Sequence, residues 1–338
     1  MKVNREQLLQ EISEVKPGLG NGTAVQNSDC LTFHKGKVRS FNDQVSIQHP
    51  CCLKIDATVK AEPFFQLLSR LVDEELEVEC SESLTVSTKR SKASLTLEQI
   101  ENPMEVKLPK QTIPIVKGMN EALSFCQFSA GKDMSRAELI NIHLHKNIVE
   151  SCDGFRLTRY KMKKFLPSEL FIPASIVKDL VGYEVSSYGE TEGWIHFLGE
   201  SGLVFSCRTT KNKYPDLDAL CNVEGTKLQL PKGMTKAIER AEIFSETEFG
   251  QDGQVTVTIL EGKLILEGKN VYGKYRERLP LKYKGDTIQF VIHPSLLKEL
   301  LALHSEIIIG AANKNGTGRL KIQGDNFEHV AVTQVVGE

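Results

Sequence analysis

The feature that most constrains this fold is a long internal repeat. The helix-like run at residues 176–180, IVKDL, returns at 296–300 as LLKEL, so that Lys178 and Lys298 lie 120 positions apart. A looser copy, FFQLL, stands at residues 64–68. A unit of roughly 110 to 120 residues is longer than solenoid repeats and has the size of a small domain. The chain is therefore predicted to contain three copies of one domain.

Shorter segments repeat with the same order. The tripeptide KGM opens a helix-like segment at residues 117–119 and again at 232–234. Within each copy two half-units look alike, each a helix followed by about three strands. Strand runs exceed helix runs, which favours an α+β fold with helices on one face of antiparallel sheets. We place the domains at residues 1–106, 107–224 and 225–338.

Apolar periodicity and turn signals predict the local elements. Strands alternate in hydrophobicity, whereas helices place apolar residues three and four positions apart. The helices are expected at residues 4–15, 62–71 and 232–243, and the strands of the first copy at residues 30–34, 38–41, 46–54, 76–80, 84–88 and 92–97.

Composition is that of an ordinary globular protein. Of the 338 residues, 40% are hydrophobic and 25% are charged, which leaves enough apolar side chains for several cores. No apolar run approaches the ~20 residues of a membrane helix, and the N-terminus lacks the apolar core of a signal peptide. The eight cysteines show no C-x-x-C spacing. We expect reduced thiols in the cytoplasm and no zinc site.

The charge pattern bears on function. A net charge of −2 excludes a generic polycation that coats nucleic acid, so any DNA-binding surface must collect its cations on one side. The helix at 232–243 does so, because Lys232, Lys236 and Arg240 recur every four positions while Met234 and Ile238 lie on another face.

The other predicted helices carry single cations. Any one of them is typical of a solvated helix face. If these cations lie on one common surface, they would attract DNA phosphates independently of the base sequence. Duplex DNA is favoured over single strands because no aromatic residues alternate with the cations on these helices. The residues predicted to face DNA are Arg5, Arg70, Lys117, Lys132, Arg136, Lys178, Lys232, Lys236, Arg240 and Lys298.

Catalytic motifs are missing from the sequence. It contains no G-x-S-x-G, phosphate-loop, H-E-x-x-H or dinucleotide-binding pattern. His143 and His145 lie on one face of a strand, yet no third ligand type stands near them in sequence, so we predict no metal or other cofactor. Cys152 precedes Asp153-Gly154, a pair typical of a turn. A hydrolase using His143, His145 or Cys152 stays open as an alternative.

Three segments carry a family resemblance. Residues 151–157 (SCDGFRL), 171–180 (FIPASIVKDL) and 213–216 (KYPD) resemble, in order and spacing, signatures of the bacterial DNA polymerase III beta subunit, the sliding clamp. The likeness extends over nearly the whole chain and is poorest at residues 18–29. It implies a non-catalytic processivity factor for DNA replication. Two copies would form a head-to-tail, six-domain ring that encircles duplex DNA and tethers the polymerase.

The resemblance also implies a pocket between the second and third domains. In the family this pocket accepts short peptides from the polymerase, the clamp loader and repair proteins. For each apolar member of the set, packing in the core is the alternative interpretation. The positions carried over by motif are Leu139, Cys152, Gly154, Phe155, Arg156, Leu157, Pro215, Leu220, Phe249, Leu296, Val330 and Val332.

The family further implies how the ring closes and where this chain departs. Ile243 and Phe244 match an apolar contact of the dimer interface, and Leu95 matches its opposite side. Phe155 stands where the family usually has histidine, Ala219 where a basic residue is common, and residues 329–336 lack the usual Met-Pro-Met ending. We interpret the chain as a divergent clamp, with a phage or mobile element as the hypothetical source. A clamp-fold scaffold that does not encircle DNA is the alternative.

Overall fold

The computed structural model describes residues 1–23, 25–99, 106–210, 213–245, 253–312 and 316–334. The chain divides into two compact units. Unit 1 consists of Met1–Asn120 and Phe171–Lys211, and unit 2 consists of Glu121–Leu170 and Asn212–Glu338. The predicted middle domain, 107–224, thus contributes residues to both units.

The described residues form 24 strands and seven α-helices. The strands are β1 (Lys2–Asn4), β2 (Cys30–His34), β3 (Lys37–Phe41), β4 (Val45–Pro50), β5 (Ala57–Lys60), β6 (Glu75–Cys80), β7 (Ser83–Ser87), β8 (Lys92–Thr96), β9 (Ile113–Pro114), β10 (Asn141–His145), β11 (Ile148–Cys152), β12 (Arg156–Lys161), β13 (Leu170–Pro173), β14 (Ser187–Thr191), β15 (Trp194–Leu198), β16 (Val204–Arg208), β17 (Gly225–Gln229), β18 (Val255–Leu260), β19 (Lys263–Asn270), β20 (Gly273–Pro280), β21 (Ile288–Ile292), β22 (Glu306–Gly310), β23 (Thr317–Gln323) and β24 (Phe327–Gln334). The helices are α1 (Arg5–Ser13), α2 (Ala61–Arg70), α3 (Met119–Cys126), α4 (Val177–Leu180), α5 (Asp218–Cys221), α6 (Met234–Glu242) and α7 (Pro294–Leu303).

A helix followed by a three-stranded antiparallel meander occurs six times along the described chain. Helices α1, α2, α3, α4, α6 and α7 precede the meanders β2–β3–β4, β6–β7–β8, β10–β11–β12, β14–β15–β16, β18–β19–β20 and β22–β23–β24 respectively. This confirms the α+β class with antiparallel sheets and the half-unit pattern read from the sequence.

The repeated KGM tripeptide has a conformational reason. Gly118 and Gly233 adopt φ values of 91° and 86°, a left-handed conformation that disfavours residues with a Cβ atom. Each glycine turns the chain directly into a helix, since Met119 opens α3 and Met234 opens α6. The same backbone requirement at both places explains why the sequence repeats there.

Unit 1 contains two antiparallel sheets. One has the strand order β1-β6-β7-β8, and the other has the order β5-β2-β3-β4-β16-β15-β14-β9. Helix α1 buries Leu8 and Ile12 completely, and its N-terminus is capped by Asn4, whose Oδ1 accepts a hydrogen bond from the Gln7 amide at 3.0 Å. The predicted strand at residues 30–34 coincides with β2, and the predicted helix at 4–15 is one to two residues longer than α1 at each end.

Unit 2 is built on a long antiparallel sheet. Its strands run in the order β10-β11-β12-β24-β21-β18-β19-β20, and β24 also pairs with β23. The apolar stripe predicted on the helix at 232–243 is buried, because Met234, Ala237, Ile238 and Ala241 on α6 are at most 1% exposed. They share one core with apolar residues of α7 and β18. Among the described residues, no helix is long and apolar enough to cross a membrane.

Candidate functional site

The motif at residues 151–157 forms a tight connection between β11 and β12. The Asp153 side chain accepts hydrogen bonds from the backbone N–H groups of Phe155 at 2.9 Å and Arg156 at 3.0 Å. Gly154, between Asp153 and Phe155, has a φ of 96°, the left-handed conformation that this turn requires. Phe155 is left 62% exposed at the tip, while its carbonyl accepts a hydrogen bond from the Val332 amide at 2.8 Å. The turn therefore presents an aromatic ring from a backbone fixed on both sides.

Arg156 is held in place by two carboxylates. Its Nε donates to Asp153 Oδ2 at 2.9 Å, and Nη1 forms an ion pair with Glu299 on α7. The guanidinium carbon also lies 5.7 Å from the centre of the Phe128 ring. Burial disfavours the charged form, but the two carboxylates outweigh it and raise the pKa of Arg156. Arg156 thus joins the turn to helix α7 as a fixed cation.

A cavity of about 350 Å³ opens beside this turn, and we call it the unit 2 groove. It is lined by both apolar and polar side chains, as ligand pockets are. Four of the predicted pocket residues line it, namely Phe155, Arg156, Leu296 and Val332. The lining residues that the sequence did not indicate are Asp153, Gln254, Val291, Ile292, His293, Ser295 and Gln334.

The other predicted pocket residues that the structure describes do not line the cavity. Leu139, Cys152, Leu157 and Val330 are buried, and Leu157 faces Val330 across the β12–β24 pair. Phe249 lies outside the described residues. For the buried members, packing in the core accounts for the position found.

Pro215 and Leu220 lie on an exposed segment that is fastened to the sheet. Tyr214 at its start donates its hydroxyl hydrogen towards Cys152 Sγ at 3.9 Å, and the same oxygen accepts from the Cys152 amide at 3.1 Å. Arg319 Nη1 donates to the Leu220 carbonyl at 3.0 Å. Leu220 itself is 44% exposed. The segment therefore offers an apolar surface on a fixed backbone.

Beneath Tyr214 lies a network of two histidines, a glutamate and an arginine. His143 and Glu150 are paired residues of β10 and β11, and His143 Nδ1 lies 3.0 Å from Glu150 Oε1. His145 Nε2 lies 3.2 Å from the same oxygen. Arg159 Nη2 binds the other Glu150 oxygen at 2.7 Å. Burial opposes ionisation of Glu150, but these partners outweigh it and lower the pKa of this carboxyl.

This network corrects one reason given above against a metal site at His143 and His145. The third ligand type that the sequence did not reveal is present, because Glu150 lies within 4.8 Å of His143 and His145. However, the two imidazole rings are stacked with centres 4.5 Å apart and planes only 11° from parallel. Nitrogen lone pairs lie in the ring planes, so near-parallel rings direct them along nearly parallel lines, which is a poor arrangement for two ligands of one ion. We therefore assign the network a structural role under the segment that carries Pro215.

Cys152 does not have the surroundings of a nucleophile. Its side chain is buried in unit 2, and burial raises the pKa of the Cys152 thiol to about 11. A reactive cysteine needs an environment that stabilises the thiolate, and here the thiol stays protonated near neutral pH. The geometry therefore gives no support to a hydrolase based on this residue.

The predicted DNA-facing cations differ in their surroundings. Seven are exposed, on helices, just before them, or in the connection between α3 and β10, and these are Arg70, Lys117, Lys132, Arg136, Lys178, Lys232 and Lys236. Arg5 is half-buried, and its Nη1 donates to the Leu68 carbonyl at 3.3 Å. Arg240 pairs with Glu277 at 2.8 Å, and Lys298 pairs with Glu242 at 2.7 Å. These two pairs reduce the positive charge that unit 2 presents to solvent.

The residues predicted for the dimer interface lie at accessible positions. Ile243, directly after α6, is 68% exposed, and Phe244 stacks on Tyr275 of β20 with ring centres 6.2 Å apart. Leu95 is a half-buried residue of β8. Within the described residues, β8 and β20 each end their sheets, so each has one edge without a pairing strand.

Comparison with known proteins identifies the fold. No protein-family model matches the sequence, and no curated protein matches it either. Solved structures do match over the whole length, and they define the class: the chain has the fold of the DNA sliding clamps. In particular, it is similar to the beta subunits of bacterial DNA polymerase III. This confirms the resemblance read from the sequence.

The similar structures come from different bacteria. The DNA polymerase III subunit beta of Pseudomonas aeruginosa superimposes with a TM-score of 0.84 at 15% identity, covering 99% of this chain and 100% of the other. The beta chain of Streptococcus pneumoniae gives 0.85 at 17% identity, with 99% of both chains covered. A DnaN sliding clamp of Pseudomonas aeruginosa bound to griselimycin gives 0.80 at 14% identity, also with 99% of both chains covered. Identity this low indicates a divergent sequence on a shared fold.

Proposed function

We propose that this chain is a DNA sliding clamp, a non-catalytic processivity factor of replication. Two copies close head to tail around duplex DNA, and each contributes three domains, at residues 1–106, 107–224 and 225–338. The observation that carries the proposal is the full-length fold likeness, with a TM-score of 0.84 over 99% of the chain. A ring needs little affinity for DNA, so a net charge of −2 is compatible with this role. The site of action is the cytoplasm.

The unit 2 groove is the proposed docking site for partner peptides from the polymerase and the clamp loader. Phe155 and Leu296 supply apolar surface and Arg156 supplies a fixed cation at its wall. Pro215 and Leu220 do not line the groove, and they offer a second apolar surface on the segment fastened by Tyr214. A peptide with apolar side chains and an acidic or carbonyl group near Arg156 fits this chemistry.

Ring closure is proposed to use exposed apolar residues and free strand edges. Ile243 and Phe244 of one copy would meet Leu95 of the other, so that β20 and β8 pair across the interface. Backbone pairing of edge strands supplies hydrogen bonds, and the apolar residues supply the desolvated contact. Repetition of one heterologous contact closes a ring when the rotation between copies allows it.

A second candidate is a clamp-fold scaffold that binds partner proteins without encircling DNA. The observation that favours it is the capture of Arg240 and Lys298 in ion pairs with Glu277 and Glu242. These pairs leave fewer free cations for phosphates. The loading experiment described next separates the two candidates.

The deciding experiment loads the protein onto nicked circular DNA and then linearises the circle. A topologically held ring is expected to remain through gel filtration in high salt and to be lost once the DNA is cut. The control is Ile243→Ser with Phe244→Ser, which should never be retained. Retention that survives linearisation would refute encirclement, and failure to be retained on intact circles by a dimeric protein would favour the scaffold.

A further inference from the structure

Two adjacent cysteines and a glutamate form a compact donor cluster in unit 1, which we call the dithiol site. It consists of Cys51, Cys52 and Glu11 of helix α1. One donor atom from each residue lies within 4.8 Å of the donor atoms of the other two. Cys51 is buried, whereas Cys52 and Glu11 are half-buried, so the site is reachable from solvent. Neither the fold nor the proposed function makes use of it.

Local backbone structure explains why both thiols meet one carboxylate. Consecutive residues of a strand point to opposite faces, but β4 ends at Pro50 and the chain leaves strand geometry at the two cysteines. The Cys52 amide donates to Glu11 Oε2 at 2.7 Å, which fixes the bend against α1. Glu11 is therefore 40 positions from Cys51 in sequence, and no C-x-x-C spacing indicates the cluster.

Several hydrogen bonds converge on the carboxylate of the site. Burial disfavours ionisation of Glu11, but hydrogen bonds from the Cys52 amide, Gln7 and both thiols outweigh it and lower the pKa of this carboxyl. Contact with the Cys52 thiol, together with burial, raises the pKa of the Cys51 thiol.

We propose that the dithiol site binds one soft divalent cation of the Zn²⁺ type through Cys51 Sγ, Cys52 Sγ and Glu11. Thiolate sulfur and carboxylate oxygen are ligands that Zn²⁺ takes in tetrahedral sites. Ligand atoms at Zn–S and Zn–O bond lengths lie about 3.5 Å apart in a tetrahedral site. The donor atoms of the dithiol site already lie within 4.8 Å of one another. Water fills the fourth position on the solvent side, and thiol protons are released on binding, so affinity falls as pH falls.

The test uses the full-length protein in the oligomeric state in which it is purified. The protein is first reduced with a phosphine, and bound metal is removed with a chelator. Cd²⁺ is titrated in, and the sulfur-to-metal charge-transfer absorption in the ultraviolet is followed. One equivalent of Cd²⁺ is expected to saturate the signal, and Zn²⁺ is expected to displace it. Zn²⁺ alone should raise the Tm, since it binds the folded state.

Variants assign the ligands. Cys52→Ser should abolish the stoichiometric signal, and Glu11→Gln should weaken Cd²⁺ binding at least tenfold. Cys80→Ser is the matched control, because Cys80 is also half-buried and free. Glu6→Gln, on the exposed side of the same helix, is the control for the charge change. Cys51→Ser is a further variant, but its buried position makes Cys52→Ser the decisive one.

The outcomes separate clearly. A signal that saturates at one equivalent, disappears in Cys52→Ser and persists in Cys80→Ser supports the site. The proposal is overturned if no saturable signal forms, or if the signal survives in Cys52→Ser. Equal losses in Glu6→Gln and Glu11→Gln would mean that only net charge matters, and this would also overturn it.

Discussion

Burial of His329 predicts a specific loss of stability in acid. This residue lies on β24 in the sheet of unit 2 and has no exposed surface. Its Nδ1 lies 2.8 Å from the Thr158 hydroxyl of β12, and its ring packs against Phe128 with centres 5.4 Å apart. Burial first, and the charge of Arg156 second, lower the pKa of His329 to about 4.

The sign and size of the effect follow from linkage. Because the folded pKa lies below the ordinary value of 6.5, the unfolded chain binds the proton first as pH falls. The contribution is therefore fully present above about pH 6.5 and is lost as pH drops towards 4. At 1.36 kcal/mol per pH unit, protonation costs about 2 to 3 kcal/mol of the free energy of unfolding between pH 7.5 and 4.5.

The assay is urea denaturation followed by circular dichroism at both pH values. His329→Gln removes the titrating ring and keeps a group that can accept a hydrogen bond from Thr158. Over this pH interval we expect the free energy of unfolding of the variant to fall by about 2 to 3 kcal/mol less than that of the wild type, whatever its stability at pH 7.5. His304→Gln, at an exposed position of the same unit, should follow the wild type. Parallel pH dependences for the wild type and His329→Gln would refute the reasoning.

Three further predictions concern the proposed clamp. Ile243→Ser with Phe244→Ser should give monomers in sedimentation velocity, because a desolvated apolar contact becomes polar; an intact dimer would contradict the interface. Phe155→Ala should weaken partner-peptide binding about tenfold in fluorescence polarisation, while changing the free energy of unfolding by less than about 0.5 kcal/mol because the ring is exposed. Lys232→Glu with Lys236→Glu should shorten retention on circular DNA and flatten its salt dependence, and unchanged retention would remove these residues from the DNA-facing wall.

The His143 network shows how tertiary contacts can change the meaning of a motif. In sequence, His143 and His145 look like two thirds of a metal site. In the fold, His143 lies between Glu150 and the Glu169 carboxylate, 2.6 Å from its Nε2, and Glu150 is also held by Arg159. The interactions stabilise the sheet below Tyr214. A strand pattern can place side chains on one face, but it cannot state how their ring planes are turned.

Much of the fold could be predicted because its causes are local or periodic. The glycines before α3 and α6 are required by the positive φ at these positions, and the spacing of the apolar residues on α6 follows from helix geometry. Both features can therefore be predicted from the sequence alone. The turn at Asp153 is likewise local, since its hydrogen bonds span three residues. The division of the chain into compact units was not visible, because it depends on which sheets pair.

The groove marks the limit of sequence reasoning. Phe155 and Arg156 were found through a motif, whereas Gln254 and His293 line the same cavity without any sequence signal. The ion pair of Arg156 with Glu299 spans 143 positions and forms only when β12 and α7 meet.

The sequence by itself thus determined the repeated helix-and-meander units, the turns at Gly118, Gly233 and Asp153, and the buried face of α6, since these depend on contacts over a few residues. Only the tertiary structure decided which charged groups are free and which are paired, as for Arg240 with Glu277 and for Glu11 with the two cysteines. The physical reason is that long-range pairing depends on distances of a few ångströms between segments far apart in the chain, and periodicity carries no information about those distances.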